Sequence, residues 1–222
     1  MGYLFANYDI FGAFWQTILL TALSAVGSLV LGTFVAIMRV SPVPLLQKLG
    51  ALYVNTVRNT PLTLIMTFFV VILVTQLRFS MFTKDILDNL FRYAVVALSI
   101  YHAALVCEAL RSGVNTVPPG QAEAARSIGL TFGQNLRHVV LPQAFRGSIA
   151  PLGNTLIALT KNTTVASAVS VSEISLLMSS MFESDGDKLF LIFLIGALGF
   201  VILTLPMGVL FTSMSRRLAV KR

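Results

Sequence analysis

The sequence predicts an all-α membrane protein with five transmembrane helices. It places the N-terminus outside, the C-terminus in the cytoplasm, and one short helix in a cytoplasmic loop. Three observations lead there. Of 222 residues, 56% are hydrophobic and only 11% charged, whereas about a quarter are charged in an ordinary soluble domain. Charge is excluded from runs long enough to cross a bilayer, which takes about 20 residues of helix. The basic residues gather in alternate segments between those runs, as a cytoplasmic excess of Lys and Arg requires.

The first run is uncharged between Asp9 and Arg39, so span one is expected at about 11–38. Arg58 and Arg78 bracket the second, at about 60–78. The third, about 92–110, carries Glu108 near its end. The fourth, about 148–168, holds Pro151, Gly153, Asn154, Lys161 and Asn162. Polar residues inside a span face a bundle interior or a water-filled cavity, so they do not disqualify it. The fifth is expected at 189–214.

Charge balance supports this count. Cytoplasmic segments then hold Arg39, Lys48, Arg58, Arg111, Arg126, Arg137, Arg146, Arg216, Arg217, Lys221 and Arg222, eleven of the sixteen basic residues. The outer segments hold Arg78, Lys84, Arg92 and Lys188, with Lys161 inside span four. With four spans, the acidic 173–188 segment would share a side with the basic 111–146 segment, which fits worse. The net charge of +7 therefore reflects orientation, and no nucleic-acid partner is expected. Cys107 is the only cysteine, which excludes an internal disulfide. The first eleven residues lack Lys and Arg, and the apolar run that follows is too long for a signal peptide. Residues 1–222 read as a single multi-pass domain of the cell membrane.

Between spans three and four lies a polar, helix-prone region, 118–142. Pro118-Pro119-Gly120 ends the preceding helix and suits the first turn of a new one. Gln121 to Ile128 are good helix formers, and Gly129 supplies a left-handed stop. Ala122, Ala124 and Ala125 keep the surface of this two-turn helix low, and Glu123 and Arg126 are its charged handles. On the tripeptide Glu-Ala-Ala alone, an ordinary surface helix explains it equally well.

The wider spacing carries more information. Glu123-Ala124-Ala125, Gly129 three residues on, then Val139 and Leu141-Pro142 resemble the cytoplasmic signature of ABC-importer permeases. Arg58-Asn59-Thr60-Pro61-Leu62 is similar to the Arg-Gly-Thr-Pro-Leu of their polar amino-acid branch. Glu108 to Gly113, Leu141 to Ala144, Leu152 to Asn154 and Lys161 to Thr164 match further segments of that branch in order. The overall look is that of the glutamate-importer permeases of actinobacteria.

The resemblance implies that the short helix is a coupling helix docking in an ATPase. Its residues would be Glu123, Ala124, Ala125, Arg126 and Gly129, with Leu141 and Pro142 completing the signature. It also implies a solute pathway near Asn59, Thr60, Pro61, Lys161, Asn162, Thr163 and Thr164. The implied partners are two copies of a cytoplasmic ATPase and a second permease chain, a paralogue in preference to an identical copy. An extracytoplasmic solute-binding protein, the amino-acid solute and the lipid bilayer complete the set. The chain has no Gly-x-x-x-x-Gly-Lys-Ser/Thr loop and is no enzyme. It binds no cofactor or metal itself; ATP and Mg belong to the partner.

Lys161 lies thirteen residues beyond Ser148, roughly 20 Å along a helix. An unpaired charge at mid-membrane costs at least about 2.5 kcal/mol. It either lines the pathway, or pairs with a carboxylate, or caps carbonyls near Pro151. The family often has Asp at Asn162, and its loss disfavours a cationic solute. Arg58, Glu108 and Arg111 are expected to snorkel or pair at span ends. Ser24, Ser28 and Gly32 form a small-residue stripe suited to helix packing. His102 and His138 read as structural, and Met178 and Met181 as part of a covering segment. The competing class is a secondary transporter or channel subunit driven by an ion gradient. That class needs intramembrane carboxylates, and only Glu108 comes close.

Overall fold

The computed structural model describes residues 2–80 and 85–218, so the expectations at Lys84, Lys221 and Arg222 lie outside the described residues. The described chain is helical, without strands. Its helices are α1 (Gly2–Asn7), α2 (Ile10–Val40), α3 (Pro44–Arg58), α4 (Leu62–Thr67), α5 (Ile86–Val114), α6 (Pro119–Ser127), α7 (Phe132–Asn135), α8 (Leu141–Asn162), α9 (Ile174–Ser184) and α10 (Leu189–Leu218). A π-helical stretch, Phe68–Gln76, extends α4, another, Leu136–Val140, joins α7 to α8, and a 3₁₀ turn, Thr163–Val169, extends α8.

Three described helical segments, Ile10–Val40, Ile86–Val114 and Gly186–Leu218, are long and apolar enough to cross a membrane. The number becomes five if each of two bent pairs is one span. One pair is Pro44–Arg58 with Leu62–Leu73, bent by 98°; the other is Phe132–Val169 with Ile174–Ser184, bent by 55°. The region between Arg39 and Arg58, expected as a loop, is therefore mostly helix α3. Proline at its first turn starts it, and Val54 is buried with Val35, Ala36, Ala104 and Cys107. Helix α5, where the third span was expected, is longer than that expectation and reaches from Ile86 to Val114. Helix α8, where the fourth was expected, begins at Leu141, and Pro151 lies within it without ending it.

Helix α5 is the centre of the packing, lying against α2, α3 and α8. In hydrocarbon, helices associate through close backbone approach at small residues. Ser24, Ser28 and Gly32 are all buried. Ser99 Oγ donates to the Ser24 carbonyl at 3.5 Å, and a Cβ on Gly32 would stand 2.7 Å from the Ala103 carbonyl. At the α5–α8 crossing, a Cβ on Gly113 would run into Ser148 and the Ala144 carbonyl. Gly153 in turn faces Phe211 of α10.

These contacts fix which ends meet. Arg39 at the end of α2 pairs with Glu108 near the end of α5, and Arg111 lies 3.5 Å from the same carboxylate. The start of α8 and the end of α10 join them, making a basic end. At the other end, Tyr8 donates to Asp185 at 2.7 Å and Lys188 pairs with Asp185. These two hydrogen bonds, Lys188 foremost, hold the Asp185 carboxyl below its usual range. Helix α9 is the covering segment anticipated from Met178 and Met181. Met181 is buried with Leu4, Ile10, Ile174, Ile192 and Ile195.

Two outcomes follow for stability. Gly113→Ala should lower the thermal midpoint of the purified protein, at a cost of about 1–3 kcal/mol for overpacking, whereas Gly120→Ala, with open space around it, should not. Arg39→Glu and Glu108→Arg should each destabilise, and the double exchange should recover part of the loss. Thermal melts of the five variants measure both; equal losses for single and double exchange would deny the pair a stabilising role.

Candidate functional site

Helix α6 is built from local signals. Pro118 takes φ −59° and ψ 132°, the extended conformation that a following proline enforces, and Pro119 opens the helix. At its end, Leu130 N–H donates to Ala125 O at 3.1 Å and Gly129 N–H to Arg126 O at 2.9 Å. With Gly129 at φ +87°, this is the paired closure of a Schellman motif, which a left-handed glycine permits. Thr131 then opens α7 through a reciprocal capping box with Gln134.

The element is fastened to the segments that follow it. Asn135 of α7 donates to Ala122 O at 3.0 Å, and Gln143 of α8 reaches Gln121 of α6. Thr116, just before α6, donates to Gly113 O at 2.7 Å on α5. Glu123, Ala124, Arg126 and Gly129 are exposed, as are Leu141 and Pro142. Ala125 is not: at 5% exposure it faces its own chain, because Ala122 and Ala125 fall on the inner face of so short a helix. The alanine surface open to a partner is accordingly narrower than the sequence suggested. In its place the structure presents Ile128, 79% exposed, and Phe132, 57% exposed, on either side of the Gly129 turn. Sequence reasoning missed both. The available signal was two large apolar residues flanking a glycine in an otherwise polar segment.

The residues expected on a pathway divide into two groups. Asn59 caps α3, Thr60 donates back to Thr56 O at 2.8 Å, and Pro61 caps α4 at the 98° break. The α4 helix rests against the Thr163–Val169 turn, so this break and the end of α8 lie in one region. Lys161 is exposed and makes no ion pair among the described residues. The expected alternative of a pairing carboxylate is thus not realised among the described residues, and α8 runs through Pro151 to Asn162 without the helix break that the capping alternative assumed. Thr163 is fully buried and donates to Thr160 O at 2.8 Å, which removes its hydroxyl from any open surface. Thr164 donates to Lys161 O at 2.8 Å. Asn162 meets His102: the side-chain amide nitrogen lies 3.2 Å from Nε2 of this fully buried imidazole, sixty residues away in sequence. His102, expected to be merely structural, is therefore a direct neighbour of the pathway candidates.

Of the three expected charge partners, Glu108 and Arg111 do pair. Arg39 completes the cluster in place of Arg58, which is exposed and beyond ion-pair distance of any described carboxylate.

Comparison with known proteins identifies the architecture. Residues 28–220 match the family described as binding-protein-dependent transport system inner membrane component. The chain is similar to the glutamate transport system permease protein GluC of Corynebacterium glutamicum, 52% identical over 95% of this chain and 94% of that one. It is similar to the probable glutamine ABC transporter permease protein GlnM of Bacillus subtilis, at 34% identity over 97% and 96%. Among solved structures, a chain of an amino acid ABC transporter crystallised with histidines superposes with a TM-score of 0.82, at 27% identity and over 94% of this chain and 93% of that one. The reading as an ion-gradient transporter finds no support in these relatives. The chain belongs to the family of inner-membrane permease components of binding-protein-dependent transport systems.

Proposed function

We propose that this chain is the permease subunit of an ATP-driven amino-acid importer, with glutamate as its solute. The observation that carries the coupling part is α6. It is a short helix started by proline and closed by a glycine turn, bonded to α7 and α8, and with the turn that follows it presents Glu123, Ala124, Arg126, Ile128 and Phe132 outward. The exposed apolar residues beside charged ones are the composition of a docking knob, in which a buried anchor is framed by polar contacts. The partner is a nucleotide-hydrolysing subunit, present in two copies and carrying ATP and Mg. The relatives' names support glutamate or a close analogue as solute.

The topology we propose has five spans. The first bent pair is the second span, and α8 with its 3₁₀ turn is the fourth, with α9 beyond it outside the span; the basic end is cytoplasmic and the acidic end outside. Arg39, Arg111, Arg126, Arg137, Arg146, Arg216 and Arg217 then lie inside, as the positive-inside rule asks. Closure of the ATPase pair moves α6, and the fastening of α6 to α7 and α8 passes the motion to the spans. The permease is a two-state element biased by its partner's chemistry.

A second permease chain covers the exposed face. Lys161 stands exposed on α8 with no ion-pair partner among the described residues, and a lone lysine facing lipid at that depth is costly. Only 11% of the most apolar window of the last span is buried inside the chain, which leaves that helix facing lipid or the second chain. A paralogue as that chain suits the resemblance to the actinobacterial importers, and an extracytoplasmic binding protein delivers the solute. Asn162, held by His102, leaves the local field of Lys161 uncompensated and favours an anionic solute.

Glu123→Arg and Ile128→Asp should each abolish ATP-dependent uptake in proteoliposomes while the protein still inserts; the ATPase should dissociate or hydrolyse without transport. Normal uptake by both would reject the docking role of α6. Asn162→Asp should raise the KM for glutamate several-fold, and an unchanged KM and rate would separate Asn162 from solute recognition.

A further inference from the structure

We propose that a cleft at the acidic end, between the start of α2 and α9, binds one ammonium or guanidinium group with Glu173 as its counter-ion. The cleft encloses about 610 Å³, within the range of roughly 300–1,000 Å³ typical of small-ligand sites. Asp9 and Gln16 line it from α2; Ser172, Glu173, Ser180 and Glu183 line it from the other side.

Glu173 is the feature that needs an explanation. It is 1% exposed. Its Oε1 accepts the Leu176 N–H at 3.0 Å and caps α9, but its Oε2 has no hydrogen-bond partner. Buried acceptors are nearly always satisfied, and capping uses one oxygen, a task that Ser, Thr, Asp or Asn performs more commonly. The second oxygen is surplus to the fold. A bound cation supplies both the missing N–H and a compensating charge, which makes the bond charge-assisted.

The surroundings select the class of ligand. The ionisable groups facing the cleft with Glu173 are Asp9 on the α2 side and Glu183 on α9, and the lining contains no basic residue. Lys188, after α9, is held by Asp185 and Asp187. An anion is therefore repelled. No cluster of three or more His, Cys, Asp or Glu suited to a metal ion exists among the described residues. The remaining acceptors, from Gln16, Ser172 and Ser180, suit a cation that donates several hydrogen bonds. Its source is either the amine of a free amino acid or a Lys or Arg side chain of the extracytoplasmic binding protein.

Protonation gives the site a signature. Burial pushes the Glu173 carboxyl up to about 7. Above that pH it is ionised and attracts the cation; as pH falls through about 7 it becomes neutral and the attraction fades. A bound cation favours the ionised form and so lowers the pKa in turn.

The test uses the assembled transporter in nanodiscs and needs no assumption about the solute carried. Methylammonium, compared with tetramethylammonium at equal concentration, should raise the thermal midpoint near pH 8 and not below pH 6. Glu173→Gln should remove the difference. Equal shifts from the two salts, or a shift that survives in Glu173→Gln, would overturn the site. ATPase stimulation then identifies the source. A rise of about tenfold in the half-saturating concentration of binding protein, the scale of one charge-assisted bond, assigns a basic side chain. A similar rise in half-saturating amino acid at saturating binding protein assigns a free amine. Neither moving overturns the proposal. Should Glu173→Gln fail to assemble, Asp9→Asn and Glu183→Gln provide the same readouts, expected in the same direction and smaller.

Discussion

The close approach of α5 to its neighbours is the constraint on which the rest depends. In a bilayer the lipid tails are as apolar as the side chains, so burial of apolar surface does not by itself drive helices together. What holds this bundle is shape. Gly32, Gly113 and the small residues around them let backbones meet at distances a larger side chain forbids. The Arg39–Glu108 pair ties the basic ends of α2 and α5, and Tyr8, Asp185 and Lys188 tie the other end. Everything with a function in this chain hangs from that frame.

The geometry suits the force transmission proposed for so small an element. Helix α6 is two turns long and would not be stable alone in water. Here Pro119, the Schellman closure at Gly129 and the bonds from Asn135 and Gln143 fix it without any core of its own. Its anchors lie on α7 and at the start of α8, and α8 meets α5 at Ser148 and Gly113. A load on α6 therefore reaches α8 and, across that crossing, α5. At the far end of the same α8, the change to a 3₁₀ turn after Asn162 lies beside α4 and His102. The coupling element and the pathway candidates occupy opposite ends of one continuous helix.

Much of this was legible in the chain because the signals are local. Hydropathy located the apolar segments, and Pro119 and Gly129 delimited α6 to within two residues. The missed features are those decided by tertiary contact. Helix α3 read as a loop because Lys48 and Arg58 interrupt its apolar pattern, although Leu45, Leu49 and Leu52 recur at helical spacing. Arg39 was the partner of Glu108 only once α2 and α5 were brought side by side. Ala125 turned inward and Ile128 outward because the roll of a nine-residue helix is set by what lies behind it. His102 gained its meaning from Asn162, which no spacing rule connects to it.

The claim at the centre is that α6 is rigidly joined to the α5–α8 junction. The most direct measurement is the distance between spin labels at Ala124 on α6 and Ala150 on α8, taken in the assembled transporter with and without ATP. A single narrow distance that stays the same in both states is the expected result. A shift, or a second population on adding ATP, would show α6 moving independently of the spans and would contradict the account.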